Sequence, residues 1–302
     1  MQNKFSIEQK YLNPIVVSKL NSLELKARLV VEGFKAGLHK SPYHGFSVEF
    51  SQHRPYMQGD SIKNIDWKVY AKSEKYFIKQ YEEETNLIAD IIVDCSNSMN
   101  FKSDANISKF EYSIILAAAF SYLLINQQDA AGLHLFAEKL KVSIPYKSSR
   151  SHLKTILTEL NNIKPAGITS ISAGLDEVAK RINKRGLTII ISDFFDDLDE
   201  IISSIKRIHY KKNEIIIFQI LDLIELDFGF GSDKTFVDLE TNEKISTLPF
   251  QIQRAYQEAM NDFLSKFKNE CLSLGVEYNL ITTKTPFDKA LFSYFAKRSR
   301  LN

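Results

Sequence analysis

From Leu87 onward, short runs of large apolar and β-branched residues recur at 87–93, 131–137, 141–146, 187–192, 214–221 and 276–282. Several are almost unbroken, as in "LIADIIV", "LTIIIS" and "EIIIFQIL". A strand covered on one face alternates apolar with polar residues. A strand covered on both faces, as in a parallel sheet, does not. Segments of helical length and spacing fall between these runs, at about 108–127, 150–162, 171–184, 196–210, 250–272 and 286–297. Asn161-Asn162, Pro165-Ala166-Gly167 and Gly186 punctuate the connections. The alternation predicts an α/β fold: a doubly wound, mostly parallel sheet with helices on both faces, in the three-layer Rossmann manner. The stretch "DFGFGSDKTFVDLETNEKIS" interrupts the series, and "TFVDL" and "EKIST" predict a small β hairpin inserted at about 227–248.

Residues 1–86 follow another pattern. Asn13-Pro14 is a helix-start signal, and 14–36 carries apolar residues at helical spacing. Residues 37–86 are rich in Gly, Pro, His and aromatics, and predict irregular structure with short strands near 46–50 and 75–81. The division expected is therefore an N-terminal segment, 1–86, and an α/β domain, 87–302.

In open α/β sheets, ligands bind beyond the carboxyl ends of strands, near a reversal of strand order. Three polar clusters fall at such places: Asp94, Ser96 and Ser98 in "DCSNSM", Thr169 in "PAGITSIS", and Asp193 in "IIISDFFDD". All offer oxygen, without imidazole or thiolate. That donor set suits a hard cation, with Mg²⁺ preferred and Mn²⁺ or Ca²⁺ as neighbours in kind. Cys95, between two of these residues, reads as a packing residue.

These residues resemble the metal-ion-dependent adhesion site of von Willebrand factor A domains. That site has a DxSxS motif after the first strand, a Thr before a later helix and an Asp after the fourth strand. The resemblance implies that Asp94, Ser96, Ser98, Thr169 and Asp193 surround a metal ion, with one position left for a partner's carboxylate. A second resemblance covers nearly the whole chain. Arg54, Tyr56, Gly59, Asp60, Ile65, Asp66, Trp67, Ala71, Lys79, Tyr81 and the run Glu82, Glu83, Glu84 match the signature of the bacterial family called domain of unknown function 58. Lys63 and Lys72 stand where that signature usually has arginines, and Lys does not reproduce arginine's bidentate fork. The resemblance implies a von Willebrand factor A-like fold and a protein partner: a MoxR-type AAA+ ATPase or its client, in a chaperone-like or assembly role.

Rival readings stand beside this one. An Asp or Ser at a strand-to-helix turn is often only a cap or an Asx-turn. A haloacid dehalogenase-type phosphohydrolase also places an Asp after its first strand, but needs a second carboxyl two residues on, where this chain has Ser96. A serine hydrolase needs a G-x-S-x-G elbow, which "CSNSM" lacks. A structural module with a vestigial metal site is a fourth alternative. Arg54, Asp60, Asp66 and Trp67 form either a packing knot or a docking surface, and "YEEE" either a solvated strand end or an acidic edge. His39, His44 and His53 lack metal-ligand spacing, and His134 reads as structural.

Composition limits the partners. A net charge of +2 gives no global attraction to nucleic acid, and the basic runs "HYKKN" and "AKRSRLN" are short. There is no P-loop motif for ATP. The two cysteines, Cys95 and Cys271, have no CxxC spacing. The longest apolar stretch, 112–125, is too short to span a bilayer, and the first residues show no secretory h-region, so a cytoplasmic location without a membrane span is expected. The function expected is non-catalytic protein binding through a metal ion.

Overall fold

The computed structural model describes residues 12–39, 53–55, 70, 76–79, 87–103, 107–230, 234–237, 244–247 and 249–298. Asp60, Asp66, Trp67, the "YEEE" run, His44 and the expected strand at 46–50 lie outside the described residues. Two units divide the chain: Met1–Gly37 with Leu87–Asn302, and Leu38–Asn86. The described residues 12–37 thus group with the α/β unit.

The helical stretch expected at 14–36 is two helices, α1 (Pro14–Ser18) and α2 (Leu23–His39). Asn13 caps the first, its side chain accepting from the Ile15 amide at 2.9 Å. The break falls at Lys19–Ser22. The Lys19 and Leu20 amides turn back tightly onto Val16 and Val17, and the Ser18 hydroxyl bonds Ile15 O. Asn21 and Ser22 favour turns over helix continuation. In the smaller unit, β1 (His53–Pro55) and β2 (Phe77–Lys79) pair antiparallel.

The α/β unit then runs β3 (Ile88–Asp94), α3 (Lys109–Asn126), β4 (Ala130–Phe136), β5 (Leu140–Lys147), α4 (Arg150–Asn162), α5 (Ile171–Arg181), β6 (Leu187–Ser192), α6 (Leu198–Tyr210) and β7 (Glu214–Leu221). A short helix α7 (Leu223–Asp227) follows, then the hairpin β8 (Lys234–Val237) and β9 (Lys244–Thr247). Helix α8 (Pro249–Ser273), β10 (Glu277–Thr282) and α9 (Phe287–Arg298) complete the order. Each strand of the main sheet matches its expected run to within a residue. Helix α6 starts later than expected because Asp197 caps it, accepting from the Glu200 amide at 3.0 Å.

The six-stranded sheet has the order β10-β7-β6-β3-β4-β5. All neighbours are parallel except β4 and β5. The fold is the expected doubly wound α/β sheet. From β3 the chain first builds outward to β4 and β5, then returns to lay β6 on the other side. Connections leaving β3 and β6 therefore diverge, and a crevice opens above their carboxyl ends.

Packing fixes that crevice from below. One face of the sheet buries Ile92, Phe136, Ile190, Ile215 and Ile217 against Leu175, Val178, Ile201, Ile205 and Phe267. Helix α5 approaches closely because Gly174 has no side chain: a Cβ there would lie 2.2 Å from Cδ2 of Phe136. Phe136 is fully buried and cannot yield. We expect Gly174→Ala to lower unfolding free energy by about 1–3 kcal/mol, read from urea denaturation, through overpacking. An unchanged midpoint would show that α5 can lift away without cost.

Candidate metal centre

Asp94 is the last residue of β3, and Asp193 directly follows β6. Both are fully buried. The loop after β3 turns sharply, with the Ser96 amide donating to Asp94 Oδ1 at 2.8 Å. Ser96 then leads into a 3₁₀ turn at Asn97–Asn100, which presents Ser98. The loop carrying Thr169 is stapled to the same place. The Ala166 amide donates to Cys95 O at 3.0 Å and the Asn97 amide to Gly167 O at 3.1 Å. Gly167 has φ +88, a left-handed conformation that glycine adopts at least cost.

This brings three hydroxyls into one row. Ser96 Oγ and Ser98 Oγ are 3.0 Å apart, and Ser98 Oγ and Thr169 Oγ1 are 3.2 Å apart. Oxygens at about 2.0–2.1 Å from Mg²⁺ sit roughly 3 Å apart along an octahedral edge, so the row fits a hard cation. Among the described residues no three His, Cys, Asp or Glu gather in a metal-binding group. A centre here therefore draws on hydroxyls as well as carboxylates. Ser96 is fully buried with its hydroxyl on Ser98, and puts no carboxyl proton shuttle where a phosphohydrolase needs one.

The two carboxylates are held differently. Asp94 Oδ2 accepts from the Ser192 hydroxyl at 2.7 Å. Burial, then the nearby charge of Asp193, pushes the Asp94 carboxyl up to about 7, against the hydrogen bonds from Ser96 and Ser192. Asp193 accepts from the Phe195 amide at 3.3 Å through Oδ1 and from Lys109 Nζ at 2.8 Å through Oδ2. Its backbone carbonyl accepts from Gln219 at 2.7 Å. Phe194, the next residue, has φ 59, sparsely populated for a bulky side chain. Its buried ring lies 5.0 Å from that of Phe267, and its amide donates to Ser192 Oγ at 3.0 Å. Asp193 thus meets Asp94 through its field, and its direct contacts are to other groups.

Lys109, Glu225 and Ser192 are the site residues that sequence reasoning missed. Lys109 is fully buried at the first position of α3, and also donates to Glu225 Oε1 at 2.7 Å. Burial alone would lower its pKa, but Asp193 and Glu225 together outweigh that and hold the ammonium above its ordinary value. Glu225 belongs to α7, capped by Asp222 in a reciprocal capping box. A lysine opening a mostly apolar helix was the available signal, since a helix N-terminus disfavours cations.

Cys95 is buried, its thiol on Val93 O and pushed up by burial, as a packing residue should be. His134 is also buried, between Asp90 at 3.2 Å and Ser143 at 3.1 Å, in a row across β3, β4 and β5. No helix among the described residues is long and apolar enough to cross a membrane.

The family model described as "Protein of unknown function DUF58" matches residues 52–264. The uncharacterized protein Rv1480 of Mycobacterium tuberculosis is 24% identical over 232 residues, covering 76% of this chain and 72% of the relative. Among solved structures, conserved hypothetical protein BatB from Bacteroides thetaiotaomicron aligns with a TM-score of 0.47 and 14% identity, over 71% of this chain and 99% of that one. The SpRpn10 VWA domain aligns at 0.38 and 11%, over 68% of this chain and 93% of that one.

Proposed function

This chain belongs to the DUF58 family of proteins of unknown function, and we propose that it works as a non-catalytic module that binds a protein partner through a divalent ion. Ser96, Ser98 and Thr169 would hold the ion by their hydroxyls, and Asp94 and Asp193 would balance its charge. Mg²⁺ is the first candidate, with Mn²⁺ or Ca²⁺ as alternatives. When bound, such an ion supplies a coordination position for an Asp or Glu from the partner. The observation that carries this reading is the hydroxyl row, 3.0 and 3.2 Å between neighbours, at the reversal of strand order. A MoxR-type AAA+ ATPase, or the client of one, is the partner that the family resemblance points to.

A specific ion stabilises the folded chain by mass action. Mg²⁺ at about one hundred times its Kd should raise unfolding free energy by about 2.7 kcal/mol. Thermal melts in Mg²⁺ and in chelator read this as a higher midpoint, absent in Asp94→Ala. Equal responses from both proteins would defeat the metal reading. Affinity capture with the chain as bait tests the partner. A MoxR-type ATPase retained in Mg²⁺ and released by chelator supports the mechanism, and equal retention in chelator overturns it.

A further inference from the structure

A buried cation stands beside the candidate centre. The Lys109 side chain has no exposure at all, and its ammonium bridges Asp193 Oδ2 and Glu225 Oε1 at 2.8 and 2.7 Å. It also lies 5.8 and 5.2 Å from the ring centroids of Phe101 and Phe195. Two penalties attach to it. Its position at the start of α3 is disfavoured by the helix dipole. Its charge is removed from water, where apolar side chains of similar volume often do as well or better. The space could be filled without charge, yet an ammonium fills it and faces one of the five candidate ligands.

We propose that Lys109 is a tethered cation that sets the affinity of this centre for divalent ions, and that Glu225 tempers it. The inference rests on the metal reading above. With the carboxylates ionised, Asp94, Asp193 and Glu225 bring three negative charges and Lys109 cancels one. The ammonium engages Asp193 and repels an incoming cation. Glu225 accepts its second hydrogen bond and offsets part of its field. Removing the lysine charge therefore tightens ion binding, and removing the Glu225 charge weakens it. A purely structural role predicts otherwise: disturbing either residue would spoil the site and weaken binding in both variants.

The test is calorimetric titration of Mg²⁺, with Mn²⁺ as a second probe, into the full metal-free chain at pH 8. Coulomb interactions between groups this close and poorly solvated are worth about tenfold or more in an equilibrium constant. Lys109→Met should lower the Mg²⁺ Kd about tenfold or more, and Glu225→Gln should raise it about tenfold. Binding by Lys109→Met equal to or weaker than wild type overturns the proposal. If Lys109→Met does not fold without metal, Glu225→Gln decides, provided its melt in chelator matches wild type. Weaker binding then supports the proposal, and unchanged or tighter binding overturns it. Should wild type and both variants all lack saturable binding, the metal reading itself fails and takes this inference with it. Wild-type binding that Asp94→Ala abolishes, but that neither charge variant alters, defeats this inference alone.

Discussion

Lys109→Met lowers the unfolding free energy of the metal-free protein by about 3–5 kcal/mol. The size follows from what the lysine leaves behind. Asp193 is fully buried, and Glu225 nearly so, with a side chain 13% exposed. Both lose the ammonium that compensates them, and neither can reach bulk water freely. A surface ion pair contributes at most about 1 kcal/mol, so this pair lies well outside that range. Urea denaturation in chelator, followed by circular dichroism, measures the loss. High salt should change it little, since buried charges are poorly screened. A loss below about 1 kcal/mol would mean that the carboxylates take up protons or water without penalty, and the buried-pair account would be wrong.

Metal-free stability also falls as pH rises from about 4 to about 7, through Asp94. Its unfolded carboxyl titrates near 3.8, while burial and Asp193 lift the folded value to about 7. Between those values the folded chain holds the proton more firmly than the unfolded chain. Stability therefore declines with rising pH in this window, and is level in this respect above and below it. The full effect is on the order of 4 kcal/mol as an upper bound. Asp94→Asn isolates it: the neutral amide removes the slope, so the variant exceeds wild type at pH 8 and the difference closes toward pH 4. Parallel urea midpoints for the two proteins across this range would refute the assignment to Asp94.

Most of the sheet was legible in the sequence because strand burial is a local pattern. Runs such as "LTIIIS" and "EIIIFQIL" carry their burial in residue type alone, and β6 and β7 fall where they predict. The inserted hairpin was legible in the same way. Breaks inside helical spacing were not: Val16, Val17 and the apolar residues of α2 keep one periodicity across a turn made by Asn21 and Ser22. At the site, the oxygen donors stood out as polar residues ending apolar runs. Glu225 left no such trace and Lys109 only its place at a helix start, because their bridge joins residues 116 apart in the chain, and Lys109 meets Asp193 across 84. Ser192 was hidden differently, as the last letter of a strand whose hydroxyl only the neighbouring strand's Asp94 makes meaningful.

The left-handed turn at Phe194 has one more consequence. The Phe194 ring is packed among Phe267 and its neighbours, while its amide donates to the Ser192 hydroxyl at 3.0 Å. The bearing of the Asp193 backbone is thus set jointly, by aromatic packing and by the hydrogen bond that Gln219 donates to its carbonyl. Scaffold and chemistry meet at this turn: substitution at Lys109 reaches Asp193 through its carboxylate, and a change in an aromatic ring several ångströms off reaches it through the backbone.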